Sequence, residues 1–272
     1  MNVCEQDVYA AKYGQWMRVF RFHAMRLLGR VCILAACAFF ALVAPCRQSA
    51  DAAPSRRATQ PVTRPKPQNV DAYTITQHGD HYKVNISYPH LGVPAADAEI
   101  SIWARDQAAR FIESVQQIRN PLPMPYALTI THQTITTPPL VSVVFTIRTF
   151  MGGAHDEPGL ATFVYNRRDG RRLTYKDLFL NTEGLVHALS SLCHASLSKN
   201  LGERTDQKML KEGTAPEMAN FDLFIVLESG IRVFFPPYQA APLKEGYLNV
   251  DIPKNDLLKF GPNRQFWPKS RR

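Results

Sequence analysis

Apolar and polar side chains alternate on either side of Gly79-Asp80, and Tyr82, Val84, Ile86 and Tyr88 share one side at a period of two. That pattern predicts a hairpin of Ala72–Gln77 with His81–Tyr88, ended by Pro89, which has no ladder donor. The period then changes. Ile100, Trp103, Ala104, Ala108, Phe111, Ile112 and Val115 recur at helical spacing. This predicts a long amphipathic helix over Ala95–Ile118, opened by Pro94 and stopped by Asn120-Pro121, with Arg105, Asp106, Arg110 and Glu113 in solvent.

Tyr126–Ile135 and Leu140–Phe150 are rich in β-branched residues and are joined by Thr137-Pro138-Pro139. They predict two antiparallel strands, with Val141, Val143, Phe145 and Ile147 alternating against Ser142, Val144, Thr146 and Arg148. Leu160–Asn166 is a third strand, and Arg168-Asp169-Gly170 turns the chain into Arg171–Leu173. Thr174 caps a short helix, Tyr175–Phe179. Thr182 starts Glu183–Leu201, whose stripe runs through Leu185, Ala188, Leu189, Leu192, Ser196 and Leu197. Residues 203–219 read as a charged, irregular surface excursion. Leu223–Leu227 and Ile231–Phe235 form a second hairpin about Glu228-Ser229-Gly230. Tyr247–Ile252 is the last strand, and Pro253 begins a short helix to Leu258. Hairpins alternating with two longer helices predict an α+β fold of antiparallel sheets, in a secreted or periplasmic protein.

The compartment follows from the leader. Arg26 and Arg30 precede the apolar run 31–43, which is short for a spanning helix of about 20 residues. Ala50-Asp51-Ala52 is an A-x-A pattern, so residues 1–52 read as a leader with a signal peptide, and a start at Met25 would put its basic segment in place. The other reading is a cytoplasmic segment before an uncleaved anchor. Leu42-Val43-Ala44-Pro45-Cys46 resembles a lipoprotein box, although Pro45 departs from it; a lipid on Cys46 would tether the domain to a membrane. Cys193 alone follows Ala53, so the exported part cannot form an intrachain disulfide. Residues 53–70 contain four prolines and read as an extended linker.

Charge alters the picture only at the ends. The chain has 32 basic and 23 acidic side chains, but residues 71–259 hold 18 against 20. The excess sits in the leader, the linker and a basic tail at 261–272. A nucleic-acid interface needs its cations on a folded surface, so nucleic acid is excluded as a partner. No H-E-x-x-H or paired Cys/His spacing occurs, and adjacent His155, Asp156 and Glu157 point alternately, so no metal site and no cofactor are expected. Nucleophilic catalysis also lacks a pattern: there is no G-x-S-x-G, and Cys193 lies on an apolar stripe.

The second half carries an ordered set of short motifs. Met151-Gly152-Gly153-Ala154-His155 follows a strand. Asp169-Gly170-Arg171-Arg172-Leu173-Thr174 and Asp177-Leu178-Phe179 come next, then Phe235-Pro236-Pro237-Tyr238-Gln239-Ala240-Ala241-Pro242. This order resembles the extracytoplasmic domain shared by RsiV-type anti-sigma factors and PdaC-type peptidoglycan deacetylases, over about residues 72–260. The resemblance implies a smaller companion subdomain at 71–150 and an RsiV-like C-terminal domain at 151–260. Ala241-Pro242-Leu243 departs from the usual A-P-Y. No catalytic domain is expected after Arg272, and the segment before the apolar run is too short for a sigma-binding domain.

What the resemblance implies is a non-enzymatic envelope module that binds a lysozyme-like protein or peptidoglycan. The candidate ligand-binding residues are Gly152, Gly153, His155, Pro237 and Tyr238. Each has a plainer reading beside it. His155 would satisfy backbone groups of its turn, and Tyr238 would lock its loop to that turn. The rival function is an enzyme acting on envelope glycans, with His155 and a carboxylate, such as Asp177, as acid and base.

Overall fold

The computed structural model describes residues 71–267. The leader, Cys46, the linker and residues 268–272 of the basic tail lie outside the described residues. β1 (Ala72–His78) and β2 (Tyr82–Pro89) form the expected hairpin, in register from Ala72–Pro89 to His78–Lys83. α1 (Pro94–Gln116) follows, with Pro94 in its first turn and Ala96, Ile100, Trp103, Ala104, Ala108, Phe111 and Val115 buried.

β3 (Tyr126–Thr136), β4 (Leu140–Phe150) and β5 (Glu157–Asn166) complete a five-stranded sheet in sequence order. One pair departs from the antiparallel expectation: β2 and β3 run parallel, Tyr82 opposite Tyr126 and Ile86 opposite Ile130. The cause is α1, whose crossover carries the chain back to the end of the sheet where β2 began. β4 and β5 are paired from Leu140–Asn166 to Thr149–Glu157, so the sheet continues across positions 150–151.

The helix covers one face of this sheet. Trp103 packs 4.4 Å from Phe145 and 5.4 Å from Phe163, ring centre to ring centre. Val141, Val143, Phe145, Ile147, Ala161 and Phe163 point toward it. The opposite face of β4 and β5 does not meet solvent. Instead Leu140, Ser142, Val144, Leu160, Thr162 and Val164 are all buried there.

What covers that face is the second sheet, β6 (Phe224–Leu227), β7 (Gly230–Phe235) and β8 (Leu248–Pro253), antiparallel in sequence order. Val144 and Leu160 pack with Ile225 and Leu227. β6 is an edge strand, and its outward N–H groups meet side-chain hydroxyls from the first sheet. The Phe224 N–H donates to Thr162 Oγ1 at 3.0 Å, and the Val226 N–H donates to Ser142 Oγ at 3.2 Å. Two donors that would otherwise be buried without partners are thus satisfied.

α2 (Tyr175–Leu178) and α3 (Thr182–Leu201) lie on this second core. Leu185, Leu189, Cys193 and Leu197 form the buried stripe of α3. Its cap is Asn181, whose Oδ1 accepts from the Gly184 N–H at 2.8 Å. Residues 203–219 are more ordered than an irregular excursion. They hold α4 (Gln207–Gly213), capped by Asp206 and anchored by buried Leu210. Pro253 ends β8 and caps α5 (Lys254–Leu257) rather than lying inside it. Residues 261–267, read above as the start of the tail, enter the same core: Phe266 and Trp267 are buried, Trp267 edge-on to Phe179 at 5.3 Å. No helix among the described residues is long and apolar enough to cross a membrane.

Candidate functional site

The first group of candidates occupies the tip of the β4–β5 hairpin. Gly152 has φ +88°, and a Cβ there would run into Leu122 Cδ1. The left-handed conformation disfavours a side chain, and the Leu122 side-chain tip would also have to move aside. Leu122 is itself held by its N–H donating to Tyr126 Oη at 3.1 Å, so the turn rests on the loop after α1. Gly153 has neither constraint: its φ is ordinary, and the nearest atom to an added Cβ is His155 O at 3.7 Å.

His155 is exposed, with Nδ1 3.2 Å from Asp156 O. Asp156 is turned toward the base of the hairpin. Its Oδ2 accepts from Arg148 Nε at 2.9 Å and Nη2 at 2.7 Å. The side chains of His155 and Asp156 thus serve different partners, and their adjacency makes no joint site. Among the described residues no three His, Cys, Asp or Glu side chains cluster as metal ligands would.

The second group lies beyond β7. Pro236 O accepts from the Gln239 N–H at 3.1 Å, and Ala241 O accepts from the Tyr238 N–H at 2.9 Å. Pro237 suits the second place of such a turn, where φ is set near −65°. Tyr238 takes the third place with φ +69°, among the described residues the one non-glycine in that region. A bulky side chain there costs on the order of 1–3 kcal/mol. The residue is 45% exposed.

The loop's anchors are residues that were not among the binding candidates. Gln239 Nε2 donates to Gly213 O at 3.1 Å and to Asn220 O at 2.8 Å. A Cβ at Gly213 would collide with Gln239 O, so the close approach of the two backbones requires glycine. Tyr247 ties the far end of the segment to the β4–β5 hairpin, its hydroxyl donating to Gly159 O at 3.0 Å. Partial burial of the phenol pushes its pKa up, and the bond to Gly159 O works against that shift. Each candidate loop therefore has its own support: residues 120–126 for the Gly152 turn, α4 and residue 220 for the Tyr238 turn.

Asp177, the carboxylate of the rival reading, is committed to its own helix end. Oδ2 accepts from the Thr174 N–H at 2.7 Å and the Thr174 hydroxyl at 2.9 Å, and Oδ1 meets Arg171 Nη1 at 2.5 Å. Partial burial works to raise its pKa, but Arg171 and the two Thr174 donors outweigh it and hold the carboxyl below the usual aspartate range. A depressed carboxyl that caps a helix is a poor general acid near neutral pH. Burial pushes the Cys193 thiol up to about 12, which leaves it protonated and unreactive. Ser190 Oγ donates to Thr214 O at 2.6 Å, so that hydroxyl too is engaged in packing α3 against the loop after α4.

Residues 176–255 match the family described as a protein of unknown function, DUF3298. The matched stretch includes Pro237 and Tyr238 and starts beyond Gly152, Gly153 and His155.

Among curated proteins, the chain is 29% identical over 210 residues to the peptidoglycan-N-acetylmuramic acid deacetylase PdaC of Bacillus subtilis strain 168. That alignment covers 75% of this chain and 44% of PdaC, so the chain spans less than half the length of this relative. The fold is shared with a DUF3298 family protein of Pseudomonas aeruginosa PAO1. Its crystal structure matches with a TM-score of 0.54 at 15% identity, covering 74% of this chain and 98% of the other. A family member from Bacteroides fragilis NCTC 9343 overlays at a TM-score of 0.49 and 14% identity, covering 71% of this chain and 92% of its own.

Proposed function

We propose that the chain is a non-enzymatic module of the bacterial envelope that holds on to cell-wall glycan from the periplasmic or secreted side. The observation that carries this reading is the match to PdaC, which spreads over 75% of the chain but 44% of that peptidoglycan-directed protein. The arrangement of titratable groups supports binding over catalysis. Asp177 is a helix cap, Asp156 is paired with Arg148, and Cys193 is buried. His155 has no second titratable group turned toward it in any of these contacts.

The exposed turns of Gly152, Gly153 and His155 and of Pro237 and Tyr238 are the proposed contact surface. Tyr238 is the centre of that proposal. A half-exposed aromatic residue held in a strained backbone conformation is a feature found at ligand contacts. The leader, residues 1–52, would export the module, the linker 53–70 would space it from the membrane, and a lipid on Cys46 would tether it. We take residues 71–150 and 151–260 as its two segments, joined through the shared β1–β5 sheet.

Sedimentation of the purified protein with insoluble peptidoglycan, and capture by immobilised lysozyme, test the reading. Retention on peptidoglycan is expected, with loss in a His155→Ala/Tyr238→Ala variant of unchanged melting temperature. Retention on lysozyme alone would replace the glycan by a protein ligand. Retention on neither would end the proposal.

A further inference from the structure

We propose that the cleft between the first turns of α1 and the β1–β2 hairpin is a subsite for an acidic sugar, a pyranose carrying a carboxylate within a glycan strand. The proposal rests on the glycan reading above and gives it a second place and a ligand class. The cleft is a shallow depression of about 610 Å³, open to solvent, wide enough for one sugar ring.

Its floor is aromatic. Tyr73 is 49% exposed and lies 5.6 Å from Tyr88, ring centre to ring centre, with Tyr88 buried behind it. His90 meets the Tyr73 ring edge-on at 5.4 Å. The half-exposed Tyr73 face is thus held from two sides. A flat ring fixed in this way suits the C–H face of a pyranose, while the tyrosine hydroxyl and imidazole can meet sugar hydroxyls.

The wall is fixed as well. Asp97 accepts from the Leu91 N–H at 2.6 Å and the Val93 N–H at 3.0 Å, and lies 3.4 Å from His90 Nδ1. That carboxylate is used inside the protein to set the loop that carries His90. Ser101 and Arg105 follow Asp97 at intervals of four residues, hence on the same face of α1, and both line the cleft. Arg105 is exposed and forms no ion pair with any described residue. An unpaired guanidinium beside an aromatic floor suits an anionic group on a ring-shaped ligand, which under the glycan reading is a sugar carboxylate.

The experiment uses the full chain and peptidoglycan glycan strands freed of their peptides. The same strands with their carboxylates reduced to alcohols serve as the comparison, and inorganic polyphosphate as the competitor. Tyr73→Thr, chosen to keep the strand, should weaken binding to both strand types about tenfold. Arg105→Gln should weaken binding to native strands about tenfold, the scale of one charge-assisted hydrogen bond, and abolish the preference for them over reduced strands.

Wild-type affinity in both variants, each shown folded by its melting curve, overturns the site. Equal wild-type affinity for native and reduced strands overturns the carboxylate, and displacement by polyphosphate that ignores Tyr73→Thr reduces the cleft to a mere anion patch. Binding lost only in His155→Ala/Tyr238→Ala rejects the cleft while the glycan reading stands. No strand binding by the wild-type protein rejects that reading itself.

Discussion

Thr162→Val removes one hydroxyl from between the two sheets and changes almost no volume. Thr162 Oγ1 is the acceptor for the Phe224 N–H, and Ser142 Oγ plays the same part for Val226 two residues along β6. Both hydroxyls belong to buried residues, so water cannot replace them without opening the interface. A buried donor left without a partner costs about 1–3 kcal/mol. Thr162→Val is therefore expected to lower stability by that amount although valine is the more apolar and the better β-former. Ser142→Ala should cost about the same, with a small cavity added. The double variant should lose about 2–6 kcal/mol, near additivity, because two different amides are orphaned. Urea unfolding reads these losses as a shift in midpoint at constant slope. Native-state hydrogen exchange should show the Phe224 and Val226 amides exchanging faster. Thr74→Val, on exposed β1, serves as the control and should stay within about 0.5 kcal/mol of wild type. Thr162→Val and Ser142→Ala variants that both match the control, with the two amides still protected, would refute this account of how the sheets are joined.

Other outcomes follow from the same geometry. Gly152→Ala should cost roughly 1–3 kcal/mol, from a left-handed backbone and the contact with Leu122, while Gly153→Ala should be neutral within about 0.5 kcal/mol; thermal melts of the pair check it. Asp177→Ala should destabilise by about 1–2 kcal/mol through loss of the cap. Its folded pKa is depressed, so the wild-type advantage should be present above the ordinary aspartate value near 3.8 and vanish as pH falls through the lower folded value, which paired urea titrations across pH would read. Alkylation at pH 8 followed by peptide mass mapping should leave Cys193 unmodified in the native protein and modify it in urea, since burial holds the thiol near 12.

The chain's local order was legible from its periodicities. Alternation about Gly79-Asp80 and the helical spacing from Ile100 to Val115 recover β1, β2 and α1 to within a few residues, because β2 and α1 each show a single buried face and the Gly79-Asp80 turn sets exposed β1 against β2. The resemblance to PdaC-type proteins was equally readable, since it lies in the order of short motifs along the chain. α4 was missed because Gln207–Gly213 buries only Leu210 and Gly213, too few positions to set a period.

Three things were decided only by the tertiary structure. The strand β4 is buried on both faces, and alternation cannot distinguish a polar residue in solvent from Ser142 beneath a second sheet. The parallel pairing of β2 with β3 depends on where the chain lands after α1, which no local pattern records. The cleft at Tyr73, Tyr88, His90 and Arg105 joins residues from a strand edge, a loop and a helix. Each is unremarkable in its own segment. A sequence specifies which side chains share an element's face, since that follows from the backbone repeat. Which faces meet is set by long-range burial, and that is where both the junction of the sheets and the proposed sugar site arise.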